Sequence, residues 1–548
     1  MKPFPRGLIV AVFATATLAA GGTKSAVPSN PDDKTILHVL NRIGFGARPG
    51  DLDRVRQIGL AKYIDQQLYP ERIADTQMAA RLAGFETLDK SSRDIAQGYY
   101  LPAQMARQRA KKNQQTAAGA AGGAGSDAPD AKPQLTPEEM QLAKKMREPL
   151  IELSQQKIIR AAYSDRQLEE VMTDFWFNHF NVFAGKGPTQ EYLTEYERDA
   201  IRPHALGKFR DLLEATAKSP AMLFYLDNWQ SVDPNGPHQV NRQGARPVFG
   251  GGGRGFRIGA RMPLPVGRPA QNPNGKQQKR GLNENYGREL MELHTLGVDG
   301  GYTQADVVNV ARAFTGWTID QPRQGGSFHF EPRFHDEGEK VVLGHHIKAG
   351  GGENDGEQVL DILAKHPSTA RFVSTKLVRR FVSDTPPPAL VDRASQRFLE
   401  TDGDIREVMR TILTSAEFFA ADAYRAKVKT PFEFVVSALR ATGSDVSDAM
   451  PLVQSVRQLG EPLYMCQPPT GYSDKAEAWV NTGALLNRMN FSVQLVSGRM
   501  RGVTAGTAPV GAALANDISA ATAATIAKAD QPAQIAALTL GSPEFQRR

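Results

Sequence analysis

The sequence predicts a mostly α-helical protein: a large, multi-helix, bundle-like domain with one small β-hairpin and with disordered or Gly-rich inserts. Apolar residues recur at helical spacing along most of the chain, and helix-start signatures precede several of those runs. Only the stretch near 327–347 combines alternation, an acidic turn and a β-branched run. At 548 residues the chain exceeds what one core ordinarily organises, so a body with insertions or several lobes is expected.

Taken in order, residues 1–26 show a short basic start, an apolar run from Gly7 to Ala20, and then small residues, the pattern of a secretory signal peptide. The run is short for a bilayer span and no stop-transfer pattern follows. A periplasmic or secreted product is expected, without stable membrane insertion after cleavage. Cleavage removes Lys2, Arg6 and Lys24 and no acid, which takes the charge from +7 to +4. A balance that mild, with Lys and Arg interleaved among acids, excludes the basic stripe of a nucleic-acid binder. Cys466 is the only cysteine, which excludes an internal disulfide and a structural Cys-zinc site.

Residues 35–110 read as an N-terminal helical part, opening with "TILHVLNRIGFGA". Residues 111–135 are Ala, Gly and polar residues with little to bury, and are expected to be a disordered, low-complexity insert. A helical core over 136–234 begins at "TPEE", where Thr136 caps and Glu139 completes a capping box. Ser164 with Gln167 predicts a second box before "LEEVMTDFWFNHFNVF". Residues 235–281 form a Gly/Pro/Arg-rich loop without the Gly-Lys-Ser/Thr ending of a phosphate loop. Residues 282–548 return to helical core, with Thr303 and Asp306 boxing "QADVVNVARAFTGW", the hairpin, and C-terminal helices that include "IREVMRTILTSAEFF" capped by Asp402 or Asp404.

Chemistry-bearing residues gather in three places. After Asn283, residues Asn285, Glu289 and Glu292 share a helix face, and the two glutamates stand about 5–6 Å apart at Cβ. Desolvated, such a pair raises one pKa and sets a proton donor beside an anion. Arg288, four residues from both Glu284 and Glu292, either clamps the pair or builds a ladder of surface ion pairs. His294 lies roughly 200° around the helix from Glu292, so the two cannot chelate one metal, and a cap or core position before Gly297 competes with a substrate-binding one. In "TDFWFNHFNVF", His179 sits on the apolar face with Trp176, while Asp174, Asn178 and Asn181 form the polar face. Its partner is expected to be Glu197, Arg202 or a glutamate of the Asn283 helix. At the hairpin, His335 and Asp336 lie near Lys340, and the turn could lower them onto a groove. Trp176 and Trp317 offer either stacking faces for sugars or core bulk. No Gly-x-Ser-x-Gly, His-Glu-x-x-His or complete calcium loop occurs.

The expected catalytic residues are therefore Glu289, Glu292, His179 and Asp336. The expected substrate-binding residues are Asn178, Asn181, Arg202, Arg288, Trp176, Trp317, His294 and His335. No metal and no cofactor is expected.

Six segments in order, "HVLNRIGFGARP", "FWFNHFNVF", "YERDAIRPHALGKFRDLL", "NENYGRELMELHTLGVDGGYTQADVVNVARAFTGW", "FHDEGEKVVLG" and "SPEFQRR", resemble the bacterial domain of unknown function 1800 family. The resemblance runs from about Thr35 to the C-terminus, with the two low-complexity inserts as departures. It implies an exported helical protein, often encoded beside a second family related to sulfatases, and it implies no reaction. Three functions stay open on these residues. The first is a hydrolase or lyase acting on an envelope or extracellular polysaccharide by carboxylate and His acid–base chemistry. The second is a non-catalytic envelope or scaffold protein acting with a sulfatase-like partner, and the third is a metal-dependent hydrolase using His and carboxylates.

Overall fold

Capping chemistry sets where several helices begin. In the computed structural model, which describes residues 25–120, 136–236 and 281–548, the Thr136–Glu139 box opens helix Pro137–Lys145 and the Thr303–Asp306 box opens helix Gln304–Ala313. Asp404 rather than Asp402 caps helix Ile405–Leu413; Asp402 takes a left-handed φ of 51° in the preceding turn. The Ser164–Gln167 box does not form. The Ser164 hydroxyl donates to Asp75 at 2.7 Å, and the Gln167 amide turns back onto the carbonyls of Ala161 and Ser164, so neither side chain is left to complete a box.

Residues 1–24 of the expected signal peptide, 121–135 of the expected insert and 237–280 of the expected loop lie outside the described residues. Within the insert, helix Leu101–Ala120 continues through the first ten residues, where Ala, Gln and Lys are good helix formers. That part of the insert expectation is corrected.

The described residues hold three two-stranded antiparallel sheets. The single hairpin expected near 327–347 divides into two pairings. Phe328–Phe330 pairs backward with Trp317–Ile319, and Lys340–Val342 pairs with His345–Ile347 around a tight turn. Leu343 and Gly344 both take positive φ, 49° and 79°, as a two-residue hairpin turn requires.

One hydrophobic cluster runs from Ile36 to Phe545 and draws on the N-terminal part, the 136–234 core and the C-terminal helices together. Helices pack closely where glycine allows: a Cβ on Gly287 would stand 2.8 Å from the Val307 carbonyl of the neighbouring helix. The chain after Asn283 is not one regular helix. Glu284–Glu289 is α-helical, and Leu290–Thr295 is a π-helical turn. There the Leu296 amide donates to Met291 O at 2.7 Å and the Thr295 hydroxyl donates to Leu290 O at 2.8 Å, five residues back in each case.

The second hairpin is fixed by charges withdrawn from water. Lys340 and Asp355 have fully buried side chains 2.6 Å apart. The same ammonium donates to the carbonyls of Asp336 and Gly338, and His335 lies 3.2 Å from the Asp355 carboxylate. Removing one partner strands the other in a dry interior. Lys340→Met and Asp355→Asn are each expected to cost roughly 3–5 kcal/mol in chemical denaturation; a loss below about 1 kcal/mol, the range of an exposed pair, would contradict this.

Candidate functional site

Helix Gln167–His179 anchors the site through its buried side. Trp176 is fully buried, with its indole N–H donating to Ala205 O at 2.9 Å. The polar side chains expected on this segment, Asp174, Asn178 and Asn181, line a cleft of about 560 Å³, open mouth included, opposite the 461–474 loop. The asparagines clamp that loop. Asn181 donates to the carbonyls of Cys466 and Pro468 at 3.0 and 2.9 Å, and Asn178 both donates to Tyr472 O at 2.8 Å and accepts from Tyr472 N at 2.7 Å. The loop reaches this register only through Gly471, whose φ is 72° and whose Cβ would fall 2.2 Å from the Asn178 carbonyl.

Charged side chains from distant parts of the chain complete the cleft. Asp174 pairs with Lys157 at 2.8 Å and with Arg380 at 3.4 Å. Arg380 also reaches Asp474 at 3.4 Å and Glu433 at 2.9 Å, and Glu433 pairs with Arg548 at 3.0 Å. Burial pushes Glu433 upward, but the Arg380 and Arg548 charges prevail and hold it at about 2. Glu461 behaves oppositely. Burial and the nearby Asp174 charge push its carboxyl up to about 8, although it accepts a hydrogen bond from Phe432 N at 2.8 Å. Tyr464 lines the same cleft and donates to Glu197 at 2.6 Å. Burial, with Glu461 second, pushes the Cys466 thiol up to about 11, which leaves it a poor nucleophile.

The four expected catalytic residues do not line this cleft. His179 is sealed at 2% exposure. Its Nε2 donates to the His294 carbonyl at 3.0 Å, in place of the expected Glu197, Arg202 or helix glutamate. Burial and then Lys376 push its pKa well down, so it is a neutral core histidine. His294 is likewise buried, and held at about 3. Glu289 and Glu292 do interact as their spacing predicts: burial and then the Glu292 charge raise the Glu289 carboxyl. Glu292 accepts from the Tyr302 hydroxyl at 3.2 Å. The Arg288 ladder is replaced by a relay, in which Arg288 donates to Gln304 and Gln304 donates to Glu284. Asp336 receives two bonds from Arg312, at 2.7 and 2.9 Å. Against the upward push of burial these bonds lead in holding it below its ordinary range.

Of the expected substrate-binding residues, Asn178 and Asn181 reach the cleft. Arg202 is taken up by Glu170 at 2.7 Å and Glu197 at 3.4 Å. Trp176 and Trp317 are fully buried and present no face to a ligand, and His335 is bound to the Thr315 carbonyl and to Asp355. Lys157, Arg380, Glu461, Tyr464 and Asp474 went unpredicted. Asp174 alone carried a signal, the shared polar face with the two asparagines. Among the described residues no group of three or more His, Cys, Asp or Glu is placed to hold a metal ion, and no helix is long and apolar enough to cross a membrane.

Fold and site together define a mostly helical protein with a charged cleft roofed by a clamped loop. The chain belongs to the family described as "Protein of unknown function (DUF1800)", whose model matches residues 38–547. No curated protein and no solved structure matches it.

Glu461 yields a pH prediction. Its folded pKa, about 8, lies above the ordinary 4.5 of the unfolded chain. Its contribution is complete below the lower value and is lost as pH rises through the upper one. Urea titrations of wild type and Glu461→Gln should show the variant gaining relative stability between pH 5 and about 8; parallel curves would contradict the raised pKa.

Proposed function

We propose that the cleft of Asp174, Glu461 and Asp474 carries acid–base cleavage of an envelope or extracellular polysaccharide. The observation that carries this reading is the separation of two neighbouring carboxyl groups. Asp174 is ion-paired with Lys157 and Arg380, while Glu461 has no ion pair among the described residues and keeps its proton at neutral pH. In hydrolysis Glu461 delivers that proton to the leaving oxygen as the C–O bond breaks. Asp174 takes a proton from the attacking water, whose oxygen forms the new bond. Lys157 and Arg380 donate to ligand hydroxyls or to a developing anion. Balanced charges beside Tyr464, Tyr472 and Phe175 suit a neutral, hydroxyl-rich ligand better than a polyanion. An exported location and the polysaccharide class come from the sequence.

The assay is release of new chain ends from envelope and extracellular glycans. Glu461→Gln and Asp174→Asn should each lower turnover by about 10²–10⁴-fold. Glu289→Gln and Glu292→Gln should stay within a few-fold of wild type. Activity should fall as pH rises through about 8, where Glu461 loses the proton it delivers. Full activity in Glu461→Gln, or loss confined to the Glu289 and Glu292 variants, would overturn this assignment.

A non-catalytic role beside a sulfatase-like partner is the second reading, favoured by apolar side chains left in water. Leu485, Leu486 and Val493, on helix Thr482–Val496, are 45%, 62% and 44% exposed. On this reading Leu486→Glu abolishes co-purification with the partner and leaves thermal stability unchanged; retained co-purification would contradict it.

A further inference from the structure

Arg548, the residue that shares Glu433 with Arg380, also lines a second cleft of about 310 Å³, open mouth included. Its walls include His38, Arg425, Lys429, Glu544 and Arg547, with Asn41 and Tyr424 completing the polar lining, so four basic side chains, Arg548 among them, face one acidic side chain. Arg425 is matched by Asp517 at 3.4 Å and Arg548 by Glu433 at 3.0 Å. Glu544 is already satisfied by Ser519 N at 2.9 Å and by the Thr522 hydroxyl at 3.0 Å. Lys429 and Arg547 have no carboxylate within ion-pair distance among the described residues. Lys429 is 3% exposed and spends one donor on the Ser437 hydroxyl at 2.7 Å. Burial lowers its amine to about 7, with Glu433 opposing and Arg548, Arg425 and Arg488 adding to the fall. An anion in the cleft supplies the charge this arrangement lacks.

His38 narrows the choice of anion. It is 5% exposed, and its Nε2–H donates to the Phe418 carbonyl at 2.8 Å, which leaves Nδ1 as a bare lone pair. That buried Nδ1 has no partner. A fully deprotonated oxyanion offers it only another acceptor, whereas an oxyanion that keeps an O–H donates to it.

We propose that this second cleft binds a protonated tetrahedral oxyanion, hydrogen phosphate, with Lys429 and Arg547 donating to its oxygens and His38 Nδ1 accepting from its hydroxyl.

The test is calorimetric titration of the full chain at pH 7 with inorganic phosphate and with sulfate, in a chloride background of matched ionic strength. Expected is saturable phosphate binding at least about tenfold tighter than sulfate, the worth of one hydrogen bond to a charged group. His38→Phe should close that gap by weakening phosphate and leaving sulfate unchanged. Arg547→Ala, at an exposed position, keeps the test decisive if His38→Phe does not fold, and should weaken phosphate several-fold. Absence of saturable phosphate binding, equal affinity for the two ions in wild type, or an unchanged affinity in Arg547→Ala would each overturn the proposal.

Discussion

The pairing of Arg380 with Glu433 is the interaction on which the rest of the site depends. Both side chains are nearly sealed from solvent, so each pays a desolvation cost that only its partners offset. Arg380 closes helix Pro367–Phe381 and gathers carboxylates from three distant segments: Asp174, Glu433 and Asp474. Arg548 shares Glu433 and donates to the Arg380 carbonyl at 3.2 Å, which ties the end of the described chain to the same point. The pairing therefore fixes the floor of the first cleft and one wall of the second.

Charge distribution around this hub accounts for the contrast within the cleft. Glu433 has two guanidinium partners and stays ionised, and Asp174 has an ammonium and a guanidinium. Glu461 is buried equally deeply, has no ion pair among the described residues, and faces the Asp174 charge, so it is cheapest as a neutral acid. The same fold thus keeps an ionised Glu433 and a neutral Glu461 in one cluster, with no positive φ at either residue. The loop that brings Glu461 and Asp474 to the helix is held by Asn178 and Asn181, so those two polar side chains serve position rather than proton transfer.

Local features were legible in the sequence and long-range ones were not. The Thr136 and Thr303 boxes depend on four consecutive residues and appear where the pattern puts them, whereas Ser164 is drawn away by Asp75, 89 residues upstream. The Asp174, Asn178 and Asn181 face was readable from helical periodicity. Lys157, Arg380, Glu461 and Asp474 reach it only through tertiary packing, and nothing local to any of them marks a site. His179 shows the converse: a histidine among aromatics reads the same whether it lines a pocket or accepts burial, and a backbone carbonyl from residue 294 decides the matter. The π-helical turn at Leu290–Thr295 was equally invisible: its bonds reach five residues back, from the Leu296 amide and the Thr295 hydroxyl, and no Pro or Gly within the turn marks the departure.

The most direct measurement is a titration of the Glu461 carboxyl itself, by carbon NMR of the full chain with carboxyl-labelled glutamate and Glu461→Gln as the assignment control. Expected is a midpoint near 8, removed to lower pH when Asp174→Asn deletes the neighbouring charge. A midpoint near the ordinary 4.5 would contradict the acid–base role of the cleft.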